Sequence, residues 1–172
     1  MPHESPTPSR PSAFWPALLR TGFTIALVDF LWAVVLTALY GGSQAGLWRG
    51  VASVPFGPSA LDGGMAAVLL GIAVHICVAF TWSAVFLLAY RAVQPLRHFT
   101  SRPSGIAVTS VLYGPLIWVM MSRVLVPLRT GKPAPAITTR WWIQLAGHAV
   151  FVGLPIVWTA TRYVRLSETV GA

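Results

Sequence analysis

The chain has 172 residues, of which 55% are hydrophobic and only 9% charged, against roughly 25% charged residues in soluble domains. Twelve Lys and Arg face four acidic residues, for a net charge of +8, a pI near 11.1 and a mean hydropathy of +0.69. This composition excludes an ordinary water-soluble globule, the four carboxylates put paired-carboxylate catalysis out of reach, and one cysteine, Cys77, excludes an intrachain disulfide and thiolate-rich metal centres.

Residues 1–13, "MPHESPTPSRPSA", are rich in Pro and Ser and have little to bury; they are expected to form a disordered arm. The arm is too polar for a signal peptide, so the first apolar block is expected to remain as a span. A bilayer core about 30 Å thick needs roughly 20 apolar residues in a helix. Span 1 is predicted over about 14–40 and span 2 over about 63–90, where no charged residue interrupts the run from Gly63 to Tyr90. Spans 3 and 4 follow over about 104–128 and 139–163, leaving 164–172 as a tail. Pro115 and Pro155 lie inside spans 3 and 4, where proline kinks a helix and frees a carbonyl.

The longest linker joins spans 1 and 2. Leu47, Trp48, Val51 and Val54 fall on one helical side of it. This pattern predicts a short interfacial helix with Trp48 at headgroup depth, or a loop packed over the mouth of the bundle. Pro55 and Pro58 are expected to end it, and Ser59 or Asp62 to cap span 2. The fold class is therefore all-α: a four-helix transmembrane bundle, up-down-up-down.

Seven arginines (10, 20, 91, 97, 102, 162 and 165) lie on the face carrying both termini, against five Arg or Lys (49, 123, 129, 132 and 140) on the other. That bias puts both termini in the cytoplasm. The basic residues flank apolar blocks, where they anchor helices to lipid headgroups. No basic, aromatic-interleaved polar stretch exists, so nucleic acid is not an expected partner.

The rare polar residues inside the spans are the candidates for chemistry. Counted from flanking arginines at 1.5 Å per residue, His75 and His148 fall within about one helical turn of the same level. Asp29 comes out about two turns nearer the termini, too far for contact unless the helices shift. Tyr113 lies between these levels, Gln144 extends the column beyond His148, and Arg140 is a turn further. A charge at the bilayer centre is costly, so Asp29 is expected to face inward. Small residues, among them Gly64, Ala67, Gly71, Ala79, Gly147 and Gly153, are expected at helix contacts.

Several readings stay open. The polar groups can simply bridge helices as structural glue. His75 and His148 can ligate haem b or a related tetrapyrrole as an axial pair. Asp29, with Tyr113, Gln144 and the histidines, can relay protons or ions in a small carrier. The bundle can also be an accessory subunit or homo-oligomer within a larger membrane complex. No nucleophile, phosphate-loop or zinc-protease signature is present, so an ordinary enzyme is not expected.

Four stretches carry a family resemblance. These are Asp29 in span 1, "GPSALDGGMAAVLLGIAVHICVAF" with His75, "LYGPLIWVMMSRVLVPL", and "LAGHAVFVGLPIVW" with His148. Over roughly 17–162 the chain resembles an uncharacterised group of bacterial four-span membrane proteins, from which it differs by Ser122 in place of an Asn. The resemblance implies a multi-pass protein of the bacterial cytoplasmic membrane and supplies no activity.

Overall fold

The computed structural model describes residues 14–169. The arm expected at 1–13 and the last residues of the tail lie outside them. In chain order, α1 (Phe14–Leu39) and α2 (Gln44–Phe56) lead through a tight 3₁₀ turn (Pro58–Asp62) into α3 (Gly64–Ala92). A short α4 (Gln94–Phe99) precedes α5 (Pro103–Val119), which continues through a wide π-helical turn (Met120–Leu125) into α6 (Val126–Thr130). The last span is α7 (Thr139–His148), a second π-helical turn (Ala149–Gly153) and α8 (Leu154–Thr169).

Four of these stretches are long and apolar enough to cross a membrane, with 26, 29, 28 and 26 residues, or about 39–44 Å of helix. Their burial pattern is turned inside out relative to a soluble protein. Phe23, Leu27, Leu31 and Val35, an i+4 row on α1, are all at least half exposed. Leu112 and Leu116 do the same on α5. Such rows are stable only against hydrocarbon. The fold is an all-α four-helix bundle of the multi-pass membrane class.

Cross-helix pairs fix the directions. Phe23 meets Phe80 while Phe30 meets His75, so α1 and α3 run antiparallel. Arg20 lies over Tyr163 while Trp32 stacks on Phe151, so α1 and the fourth span do too. The buried hydroxyls of Thr21 and Thr159 hydrogen-bond across that seam at 3.2 Å. Small residues set the closest approaches. A Cβ at Gly114 would collide with the His148 carbonyl, and one at Gly153 with the Ser110 carbonyl. Helix backbones touch there, as small-residue membrane contacts allow.

Local outcomes differ from expectation in four places. The helical break in span 3 falls at Met120–Leu125 rather than at Pro115, which α5 absorbs. Each π-helical turn ends two residues before a proline, Leu125 before Pro127 and Gly153 before Pro155. Proline clashes with the carbonyl four residues back, and a widened turn relieves that clash. Neither Ser59 nor Asp62 caps span 2; Gly63 occupies the cap without a side-chain bond. The tail expected from 164 continues as helix to Thr169. Pro55, expected to end the linker helix, lies inside α2, which runs on to Phe56.

The linker forms the short helix expected between spans 1 and 2, with Ser43 capping it through the Gly46 N–H. Trp48, however, is not at a free interface. It is 4% exposed, stacked on Phe30 with centroids 4.8 Å apart and edge-on to His75 at 5.4 Å. Its carbonyl sits where a side chain at Gly71 would be, seven residues into α3 and thus about 10 Å along it. The apolar side of α2 folds in beside α3 because Gly71 leaves room for its backbone.

Candidate functional site

Asp29 and His75 are in contact, against the depth count. Asp29 Oδ2 lies 3.8 Å from His75 Nδ1. The count failed at its markers. Arg91 lies over Phe14, and Arg20 lies over Tyr163, so Arg91 is level with a residue six positions before Arg20, about 9 Å away. From Phe14 to Asp29 is fifteen residues and from Arg91 back to His75 is sixteen. Corrected this way, the two side chains meet. The other nitrogen, His75 Nε2, lies 3.1 Å from the Ala26 carbonyl. A carbonyl only accepts, so Nε2 carries a proton. The Nδ1 proton is then the one Asp29 and His75 can share.

His148 ends α7 at the second π-helical turn. It is 8% exposed, and Nδ1 donates to the Gln144 carbonyl at 2.7 Å. Its neutral form therefore presents Nε2 as a lone-pair acceptor. Trp32, which bonds Gln144 and underlies Gly147, marks the level of this segment. Trp32 is three residues beyond Asp29, about 4.5 Å.

Asp29, His75 and His148 line one cavity of about 330 Å³, within the roughly 300–1,000 Å³ of small-molecule sites. Its remaining wall is apolar and aromatic, including Ile25, Trp82, Trp118, Met121 and Val152, with Ser122 as a further polar group. Val51 of α2, Val126 of α6 and Pro135 of the following loop also line it. Arg129 Nη2 donates to the Pro55 carbonyl at 2.8 Å, tying the end of α6 to the end of α2.

The other residues of the expected column go elsewhere. Tyr113 donates to the Trp82 carbonyl at 2.8 Å and packs on Phe86, outside the cavity wall. Gln144 Oε1 accepts from Trp32 Nε1 at 3.0 Å, a bond between spans. Arg140 lies over Tyr40, 4.9 Å from its centroid. The cavity thus gathers Asp29, His75 and His148, and leaves Tyr113, Gln144 and Arg140 in helix-bridging contacts.

Among the described residues no three His, Cys, Asp or Glu side chains gather as metal ligands. An axial tetrapyrrole pair asks each imidazole for a free ring nitrogen. His148 offers Nε2. His75 does not fit, since Nε2 faces the Ala26 carbonyl and Nδ1 faces Asp29, and ligation would break one of these contacts.

Sequence reasoning did not assign Trp118, Ser122 or Arg123 to the site, noting Ser122 and Arg123 only for the resemblance and the charge bias. The signal was present in "IWVMMSRVL", a serine and an arginine inside an apolar run just before a proline. Fold and site together define a multi-pass membrane bundle with a largely apolar cavity lined by three ionisable groups. No family model, curated protein or solved structure matches the chain, so function is read from the site's own geometry.

Proposed function

We propose that this protein is an intramembrane binding bundle. It holds a small lipophilic molecule in the cavity and addresses that molecule's polar end through Asp29, His75 and His148. One observation carries the reading: three ionisable side chains from three different spans line a single apolar cavity. Polar groups gathered in such a pocket orient a ligand, and ionisable groups at membrane depth mark functional positions. The neutral His148 Nε2 accepts a ligand hydroxyl, and Trp82 and Trp118 supply aromatic wall. Both termini lie in the cytoplasm under this reading, and the cavity lies toward the opposite face.

The test is photolabelling in nanodiscs with a diazirine-bearing long-chain alcohol. Labelling is expected at Trp118 and Met121 as well as at the outward-facing Leu112 and Leu116. Ala79 lines the cavity, and Ala79→Phe is expected to fill it, cutting the first pair of labels about tenfold and sparing the second. Labels confined to Leu112 and Leu116 in the parent protein would refute a ligand cavity.

The Asp29–His75 contact favours a second reading, a proton-coupled carrier that moves the shared Nδ1 proton. Proteoliposomes would then dissipate an imposed pH gradient, read by a trapped dye, and Asp29→Asn would stop the dissipation. Equal rates with and without the substitution would remove this reading.

A further inference from the structure

Spans 3 and 4 share an unanswered set of donors. Trp118 Nε1, Ser122 Oγ, Arg123 Nη2 and Trp141 Nε1 are all buried and have no hydrogen-bond partner. Leaving such a group unmet in the interior is costly, more so when it is charged, so four in one neighbourhood is far from the satisfied interior native proteins show. They are neighbours. The Arg123 guanidinium lies 5.0 Å from the Trp141 ring centroid, Trp141 is 6.5 Å from Trp118, and Trp118 is 4.8 Å from His148. Trp118 and Ser122 line the cavity, and Ser122 and Trp141 are only 6% and 8% exposed.

All four can donate, and three can only donate. One is a permanent cation. An arginine near a helix end normally snorkels its head into water, yet here one guanidinium nitrogen is sealed. The contact between a carboxyl and a basic side chain found among the described residues is Asp29 with His75; no carboxylate reaches Arg123. Asp29 lines the cavity and has His75 as its partner; Arg123 adjoins the lining residue Ser122 rather than lining the cavity itself, and no carboxylate offsets its charge. Ser122 and Arg123 lie in the π-helical turn, the irregularity that membrane and soluble helices often place at working sites.

Resting on the binding reading above, we propose that the ligand is an acyl-chain amphiphile with an anionic, oxygen-rich head. Its head extends from His148, already assigned to the polar end and 4.8 Å from Trp118, to Ser122, Trp141 and Arg123, and its chain lies in the apolar cavity beside Met121 and Val152. A carboxylate or a phosphate satisfies the donors and neutralises the guanidinium.

The test repeats the nanodisc photolabelling with three probes of one chain length: the alcohol, the fatty acid, and a lysophospholipid bearing a free phosphate monoester. Unlabelled competitors of each kind give relative affinities. An anionic head is expected to label Trp118 and Met121 at least tenfold more strongly than the alcohol. Whichever anion wins separates a free carboxylate from a lipid phosphate. Arg123→Gln is expected to erase that preference, and Arg123→Lys to restore part of it. Trp118→Phe, which keeps the ring and removes the N–H, guards against an arginine variant that fails to fold; it is expected to lower anion labelling severalfold. Equal labelling by all three probes would overturn the anionic head, as for donors met by water alone, while leaving the cavity reading intact. Cavity labelling by none would overturn both.

Discussion

Gly114→Leu is expected to prevent stable assembly of the third and fourth spans. The hydrogen that stands where a side chain would be points at the His148 carbonyl, and Gly153 approaches the Ser110 carbonyl and the Gly114 nitrogen from the other helix. Overpacking a core costs typically 1–3 kcal/mol when neighbouring side chains can move. Here the obstacle is backbone, so the helices must separate along the whole seam, and a loss above about 3 kcal/mol is expected. Unfolding by added SDS in mixed micelles, followed by Trp fluorescence, reads the effect as a lower midpoint or loss of the folded fraction. Val111→Leu provides the control. Val111 is 60% exposed on the outward face, and its change is expected to stay within about 0.5 kcal/mol. An unchanged midpoint for Gly114→Leu would mean that these two helices do not touch.

The second large effect concerns the Asp29–His75 pair. His75→Leu removes the partner 3.8 Å from Asp29 and the bond to the Ala26 carbonyl, leaving a carboxyl group facing an apolar cavity. Breaking a fully buried pair from one side costs about 3–5 kcal/mol; the His75 and Asp29 side chains are 12% and 24% exposed, so a smaller loss of about 2 kcal/mol is expected. The double replacement, Asp29→Leu with His75→Leu, is expected to regain most of that loss, since an apolar pair of similar volume is often neutral or better. The same denaturation experiment, run as a double-mutant cycle, gives the coupling directly. Additive effects would show that the two side chains do not interact. Their contact would then be incidental, and the proton-coupled reading would lose its support.

Much of this molecule is legible in one dimension. Runs of apolar residues long enough to cross hydrocarbon, broken by Pro, Gly and Arg, define four spans whatever their partners. Desolvation alone singles out Asp29, His75 and His148, because any ionisable group in such a run must find shelter. Counting along helices failed where it assumed that arginines mark equal depths. Arg91 reaches Phe14 and Arg20 reaches Tyr163, and that offset concealed the Asp29–His75 contact. The inward fold of α2 was concealed for a related reason. An amphipathic segment buries its apolar side against lipid or against protein, and the space at Gly71 that decides the matter belongs to another helix.

Hydrophobicity per residue, a property each side chain carries alone, determined that this chain lives in a membrane and which few side chains must turn inward. Helix rotation and offset decided the rest. Those depend on backbone contacts at Gly71, Gly114 and Gly153 and on widened turns ahead of Pro127 and Pro155. They brought three ionisable groups to one cavity, sent Tyr113 and Gln144 elsewhere, and gathered the donors around Arg123. Pairwise packing has no signature in a single strand of sequence, because each contact joins residues that only the assembled helices make neighbours.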